Sequence, residues 1–270
     1  MSNSGFKYCF IIPRTPVSHR TPERERLWSL ALKSLFIQTS QDWQAIIIGP
    51  IEKELEGDKR FLFIEHDLLD KRKKVVEAVR FIIEHQLNFD YLIRFDDDDL
   101  ISMNILHDIS LQSMNFNCIV DRFHAFLESD YKLVSLQERE WFPNTCAHAF
   151  DDAVQVVKYG DEENFLIAHD HSVSWHKYYK DKAVQYTDKQ SPFYLRVISK
   201  TSITSNLKKS YFDYLSSFGD WNFNMDDFKQ FNEIRDNDNK NKSVMKKTAF
   251  RYMIAVRRFK NRIAGKLVSG

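Results

Sequence analysis

Four consecutive aspartates, Asp96-Asp97-Asp98-Asp99, follow the apolar run Tyr91-Leu92-Ile93-Arg94-Phe95. Carboxylates at the end of a buried strand are hard oxygen ligands at a fixed sheet edge. They suit a divalent cation, and a cation there can hold a diphosphate. Adjacent like charges repel one another, so the tetrad calls for a counter-ion. A bare acidic run also suits a solvated turn or a helix N-terminus; the strand in front of this one favours the site. A basic set accompanies it. Arg14, followed by Thr15, His19 and Arg20, closes the first apolar run, and Lys71-Arg72-Lys73-Lys74 opens a helical segment. Basic side chains beside clustered carboxylates complement a phosphate that also touches a metal. Read alone, a charge run such as 71–74 is more often a solvated helix face.

A third set lies at His169-Asp170-His171 and His176. Asp170 can hold an imidazole in a chosen tautomer or act as a general base itself, and either histidine can take a proton near neutral pH. His-x-His can alternatively add ligands for Mn²⁺ or Zn²⁺. The stretch 139–145, with Trp141, mixes an aromatic ring with polar groups. That mix suits sugar stacking, although a core Trp beside a loop is the simpler reading. Cys146 near His148 has no evident activating partner, so a thiol nucleophile is not expected.

The elements that must position these groups alternate in type. Tyr8–Ile12, Trp43–Ile48, Phe61–Ile64 and Tyr91–Phe95 read as strands. Glu25–Gln38, Lys71–Leu87 and Met103–Leu111 read as helices from their apolar spacing, with Val75, Val76, Val79, Ile82 and Ile83 inward in the second. Thr21-Pro22-Glu23 fits a helix start. This alternation predicts a mostly parallel sheet covered on both faces, whose ligands gather at the strands' carboxyl ends. After Asn117 the pattern changes. Cys118–Val120 and Tyr131–Leu136 are strand-like with no long helix between them, which predicts hairpins or a mixed sheet edge, while 169–179 and Tyr194–Ile198 resist assignment. Residues 220–241 are polar and read as a linker, and Ser243 to Leu267 as a last helix.

Bulk properties bound the function. The chain has 270 residues, 43% of them apolar and 29% charged, enough for one large α/β domain. Three dispersed cysteines form no CxxC pair, so neither a disulfide framework nor a zinc knuckle is expected, and reduced thiols in the cytoplasm are. No signal peptide is evident, and no run approaches the roughly 18 apolar residues of a membrane span. The net charge of +1 hides an asymmetry: residues 242–270 carry nine Lys or Arg and no Asp or Glu. The rest holds 30 basic side chains against 38 acidic ones.

Together these pieces resemble the GT-A glycosyltransferases. The matching elements are Phe10-Ile11-Ile12-Pro13, Ser34-Leu35-Phe36-Ile37-Gln38-Thr39, Trp43-Gln44-Ala45-Ile46-Ile47-Ile48, and Tyr91 through Asp99 as the DxD-type element. More narrowly the chain is similar to the rhamnosyltransferase-like group of bacterial GT-A proteins, through Ser174-Trp175-His176-Lys177 and Pro192–Ile198, over roughly residues 7–205. The resemblance implies a GT-A-like (Rossmann-like) α/β fold in residues 1–219, followed by the linker 220–241 and a basic helix in 242–270. It implies transfer of a sugar from a UDP-, dTDP- or GDP-linked donor to a glycan or lipid-linked acceptor, with inversion and with Mn²⁺ or Mg²⁺ as cofactor. Asp96 would face the donor and Asp98 the metal; a register one residue on would bring in Asp97 and Asp99. Arg14, Lys71 and Arg72 would contact the diphosphate, and Asp170, His171 and His169 supply the base. Relatives often place a carboxylate after the second strand to read the base, whereas this strand ends Ile48-Gly49-Pro50.

Two other readings stay open. A nucleotidyltransferase would use a similar sheet but a glycine-rich loop after the first strand, where Pro13-Arg14-Thr15-Pro16 has none. A non-catalytic carbohydrate- or Ca²⁺-binding module would use the tetrad as an ion site. The tail from 243 to 267, with cations between apolar residues, fits an anionic membrane surface, which would place the protein at the inner face of the cell membrane. Packing on the acidic body and nucleic-acid binding are its rivals, and nucleic acid is not expected.

Overall fold

The computed structural model describes residues 7–66, 70–111, 116–121, 123–130, 132–138, 146–151, 154, 181–187, 192–200, 211–234 and 244–268. Its centre is a sheet built on β1 (Tyr8–Pro13), flanked by β2 (Trp43–Ile48) and β4 (Tyr91–Arg94), with β3 (Phe61–Ile64) beyond β2. All four are parallel. Both faces of β1 and β2 are buried, which explains their unbroken apolar runs. Tyr8, Phe10 and Ile12 point to one face and pack with Trp28, Ala31 and Leu35 of α1 (Pro22–Phe36). Cys9 and Ile11 point to the other and pack with Val75, Val79 and Ile82 of α2 (Lys71–Glu84). Period two in the strand thus meets period 3.6 in a helix on each side. Thr21 caps α1 by accepting from Arg24 N–H at 3.2 Å, with Pro22 in the first turn, as the sequence indicates. Ile83, expected inward, is exposed on α2, and Ala78 takes a core position instead.

Beyond β4 the order of connection breaks. β5 (Leu100–Ile101) leaves the first sheet and enters a second. After α3 (Ile105–Leu111), β6 (Cys118–Val120) returns to the first sheet, where β9 (Cys146–Ala149) lies antiparallel between β4 and β6, and β10 (Val184–Tyr186) pairs parallel with β6 at the edge. This is the mixed edge foreseen after Asn117. The second sheet runs β12-β8-β7-β11-β5. β7 (Phe123–Glu128) and β8 (Leu133–Glu138) form an antiparallel hairpin; β11 (Tyr194–Ile198) is parallel to β7 and antiparallel to β5, and β12 (Phe223–Asn224) borders β8.

Residues 220–234 are not a linker. Trp221, Met225, Phe228, Phe231 and Ile234 are buried, the last four with Leu100, Leu127, Val134 and Leu195 of the second sheet. Short 3-10 turns space these side chains so that no single period shows in the sequence. α4 (Tyr211–Ser216) then packs with α5 (Val244–Val268), the expected C-terminal helix. None of the described helices is long and apolar enough to cross a membrane.

Candidate active site

The sheet order β3-β2-β1-β4 puts a topological switch point between β1 and β4, because the chain winds outward from β1 first to one side and then to the other. Open α/β sheets bind ligands in the crevice at the carboxyl ends of such strands. Here β1 ends into Arg14-Thr15, and β4 ends into the tetrad. The tetrad is also the joint between the two sheets, since β5 starts at the next residue. A cavity of about 110 Å³ opens there, lined by all four aspartates and by Arg14, Arg24, Lys71, Lys74 and Arg196.

The four carboxylates fall into two kinds. Asp97 is bound into the scaffold: it accepts from Thr15 N–H at 2.7 Å, Thr15 Oγ1 at 3.0 Å, Arg14 Nη1 at 2.8 Å and Arg24 Nη2 at 3.1 Å. Burial works to raise its pKa, but Arg24 and Arg14 hold it below the usual carboxylate range. Asp99 is bound into the second sheet, where Oδ1 accepts from Val197 N–H at 2.7 Å and Oδ2 from the Tyr194 hydroxyl at 2.6 Å. Burial, with Asp98 and Asp96 close by, pushes its carboxyl well up. The Tyr194 hydroxyl also accepts from Asp96 N–H at 3.3 Å, so one phenol fixes both ends of the turn.

Asp96 and Asp98 are held by long side chains instead. Lys71 Nζ lies 2.7 Å from Asp96 Oδ2, and Arg94 Nε 3.7 Å from its Oδ1. Burial opposes ionisation of Asp96, yet Lys71 and Arg94 keep its pKa low. Arg24 Nη1 lies 3.0 Å from Asp98 Oδ2, and the Asp98 side chain keeps 18% of its surface exposed. Its pKa is raised, by burial first and by Asp97 beside it, against the pull of Arg24. The counter-charge expected for the tetrad is therefore supplied by arginine and lysine from α1, α2 and β4.

Among the described residues no three His, Cys, Asp or Glu side chains converge as a metal cage. Mg²⁺ and Mn²⁺ that work on phosphates need fewer: one or two carboxylates, with substrate oxygens completing the shell. Asp96 and Asp98 fit that partial donor set. Asp99, the third expected ligand, already accepts one hydrogen bond on each oxygen from β11.

Arg14 lies deeper than expected of a donor contact. Its buried guanidinium is shared among Asp97, Glu25 at 2.7 Å and Glu52 at 3.0 Å, and stacks over Trp28 at 4.6 Å. Gly49 makes room for it: a Cβ there would stand 2.7 Å from Arg14 Cβ. Glu52, four residues past the second strand, turns back onto Arg14 and Arg20. The basic run 71–74 divides by helical spacing. Lys71 reaches Asp96, Lys74 is buried with Nζ on the Arg14 carbonyl at 2.6 Å, and Lys73 is exposed. The Arg72 side chain is outside the described residues, as are 139–145, His169, Asp170, His171 and His176. Cys118 Sγ and His148 Nδ1 lie 3.6 Å apart, buried inside the sheet, with no route to a substrate.

Arg24, Arg196 and Tyr194 were not singled out from sequence. A signal existed for each arginine. Arg24 stands in the first turn of a helix, where the macrodipole favours acids, and Arg196 interrupts the apolar run Tyr194-Leu195-Arg196-Val197-Ile198. Tyr194 had none, since an aromatic residue in a strand is ordinary.

No family model matches the chain, and no curated protein matches it. Solved structures similar to it include S. aureus TarS residues 1–349, at 11% identity and a TM-score of 0.49 over 85% of this chain and 71% of that one. The same fragment in complex with UDP matches at 13% identity and 0.49, over 84% and 70%. The glycosyltransferase GlyE of Streptococcus pneumoniae TIGR4 matches at 12% and 0.43, over 72% and 55%. The 2-C-methyl-D-erythritol 4-phosphate cytidylyltransferase of Francisella tularensis matches at 11% and 0.44, over 73% and 93%. Scores below 0.5 at such identities transfer no activity, so the functional reading rests on this chain's own site.

Proposed function

We propose that the chain is a metal-dependent glycosyltransferase that moves a sugar from a nucleotide donor to a hydroxyl of a glycan or lipid-linked acceptor. The observation that carries this reading is the pairing, at one switch-point crevice, of two carboxylates that meet side-chain cations (Asp96 with Lys71, Asp98 with Arg24) with a ring of basic groups. Asp96 and Asp98 would hold Mn²⁺ or Mg²⁺, which when bound neutralises the charge that develops on the departing diphosphate. Lys71, with 41% of its side chain exposed, lies at the mouth and can move from Asp96 to a phosphate oxygen. Arg24, buried and bound also to Thr15 and Asp97, stays in place beside Asp98 as a fixed positive charge. Asp97, Thr15, Asp99 and Tyr194 keep the turn rigid while Lys71 exchanges partners, so that the reacting groups stay aligned. In the transfer the acceptor oxygen bonds to the anomeric carbon, the bond to the diphosphate oxygen breaks, and the acceptor proton passes to a base, for which Asp170, His169 and His171 remain the candidates. The resemblance supplies the expectation of inversion.

The test is release of nucleoside diphosphate from a panel of UDP-, dTDP- and GDP-sugars, with and without Mn²⁺. Turnover of one donor that needs the cation and falls at least about a hundredfold in Asp98→Asn supports the reading. Release of pyrophosphate from a nucleoside triphosphate would replace it with nucleotidyl transfer. Folded protein with neither activity would leave an ion- or glycan-binding module.

A further inference from the structure

α5 has two apolar faces, and among the described residues only one of them is packed against the fold. Phe250 and Ile254 are buried against Tyr214, Leu215, Phe218 and Trp221. Arg251 Nε donates to the Trp221 carbonyl at 2.7 Å, and ion pairs Arg257–Asp213 and Arg258–Asp220 pin the helix along its length. The opposite face carries Met245, Tyr252, Phe259 and Ile263, spaced by seven, seven and four residues, which places them in one stripe. They are 80%, 72%, 65% and 45% exposed. Lys260 and Arg262 stand exposed beside the stripe, and the helix contains no acidic residue.

Large apolar side chains held in water along one line need a partner. We propose that the outer face of α5 lies on an anionic lipid bilayer, with the stripe at the headgroup–acyl boundary and the cations on lipid phosphates. Charge and apolarity together select this occupant. A second copy of the chain packed through the same face would bring cations against cations, with no carboxylate on either helix to pair them. A nucleic acid would meet the cations but leave Tyr252 and Phe259 in water. A bilayer surface accepts both sets of groups at once. The inward face, already locked to the protein, sets the orientation: the helix lies along the membrane and the acidic remainder of the chain faces away from it. This inference stands independently of the reading of the aspartate site.

Sedimentation of the full chain with vesicles tests it, using phosphatidylcholine alone and an equal mixture with phosphatidylglycerol. The protein should bind the mixture, not phosphatidylcholine alone, and should be released by salt. The double variants Tyr252→Ser/Phe259→Ser and Lys260→Glu/Arg262→Glu should each lose at least about tenfold in apparent affinity. All four side chains are exposed, so far-UV circular dichroism should not change. Tyr252→Trp should give an emission that shifts to the blue on adding the mixed vesicles. The proposal is overturned if the chain ignores the mixture, or if it binds both vesicle types equally. It is equally overturned if the serine variant binds as the parent does while duplex DNA competes, or if the parent is a dimer that the serine substitutions dissociate.

Discussion

Asp97 and Asp98 are neighbours of one type, yet their surroundings differ, and on the proposed function substitution should separate their roles. Asp97→Asn removes the charge that Arg14 and Arg24 share in a buried network. It should destabilise the fold by about 3 kcal/mol, because it leaves buried cations short of a partner. Asp98→Asn should unfold at nearly the parent's denaturant midpoint while losing cation-dependent donor binding. Equal stability of the two variants in denaturant titrations would contradict the division. Gly49→Ala is a second test. Its methyl would press on Arg14 Cβ, so about 2 kcal/mol of stability should go with donor affinity; a variant that binds as the parent does would show that Arg14 need not sit where it does. At this scale the sequence made the tetrad and its basic company legible because charge after an apolar run is a strong local signal. It did not show which carboxylates are scaffold, since that depends on Val197 N–H and Tyr194, about a hundred residues away.

β6, β10 and β11 meet at one side chain. Asp121, fully buried just after β6, accepts from Thr187 Oγ1 at 2.7 Å and from the N–H groups of Phe193 and Tyr194 at 3.0 and 2.9 Å. It thereby fixes the start of the strand whose Tyr194 and Val197 hold Asp99. Burial pushes its carboxyl up to about 7, against those hydrogen bonds. The folded state then binds a proton that the unfolded chain gives up at its usual 3.8, so this contribution to stability is fully present below that value and lost as pH rises toward 7. The loss is about 1.4 kcal/mol per pH unit across the window. Denaturant titrations at pH 5 and 7 should show a smaller fall for Asp121→Asn than for the parent. Asp99, raised by the same cause, contributes to the slope in both proteins. Parallel pH curves would contradict the assignment. Strands such as β1 and β2 were legible because they are buried on both faces. β11 was not, because its central arginine breaks the run and its partners β5 and β7 are far off in sequence. Residues 220–234 looked like a linker because their apolar side chains are separated by aspartate and asparagine and spaced by 3-10 turns rather than by one period.

The whole molecule joins a mostly parallel sheet that carries β1 and β4 to a smaller sheet that carries β11, with the tetrad as the joint. A fold built this way should couple ligand and core. Cation and nucleotide filling the crevice would neutralise a cluster that Arg24 and Lys71 now balance, so the thermal midpoint should rise with the right donor and metal together. The charge asymmetry read from the sequence recurs in space: the basic helix is fastened to acidic residues at Asp213 and Asp220. The alternation of strands and helices made the α/β class legible from the first 115 residues, whereas the second sheet depends on pairings no local pattern encodes. The most direct measurement is a calorimetric titration of the protein with UDP, dTDP and GDP, each with and without Mn²⁺, repeated on Asp98→Ala. Binding of one nucleotide that needs the cation and disappears in the variant is the predicted result. Folded protein that binds none of the three, or binds one equally without Mn²⁺ and in Asp98→Ala, would contradict a metal-dependent donor site at the end of β4.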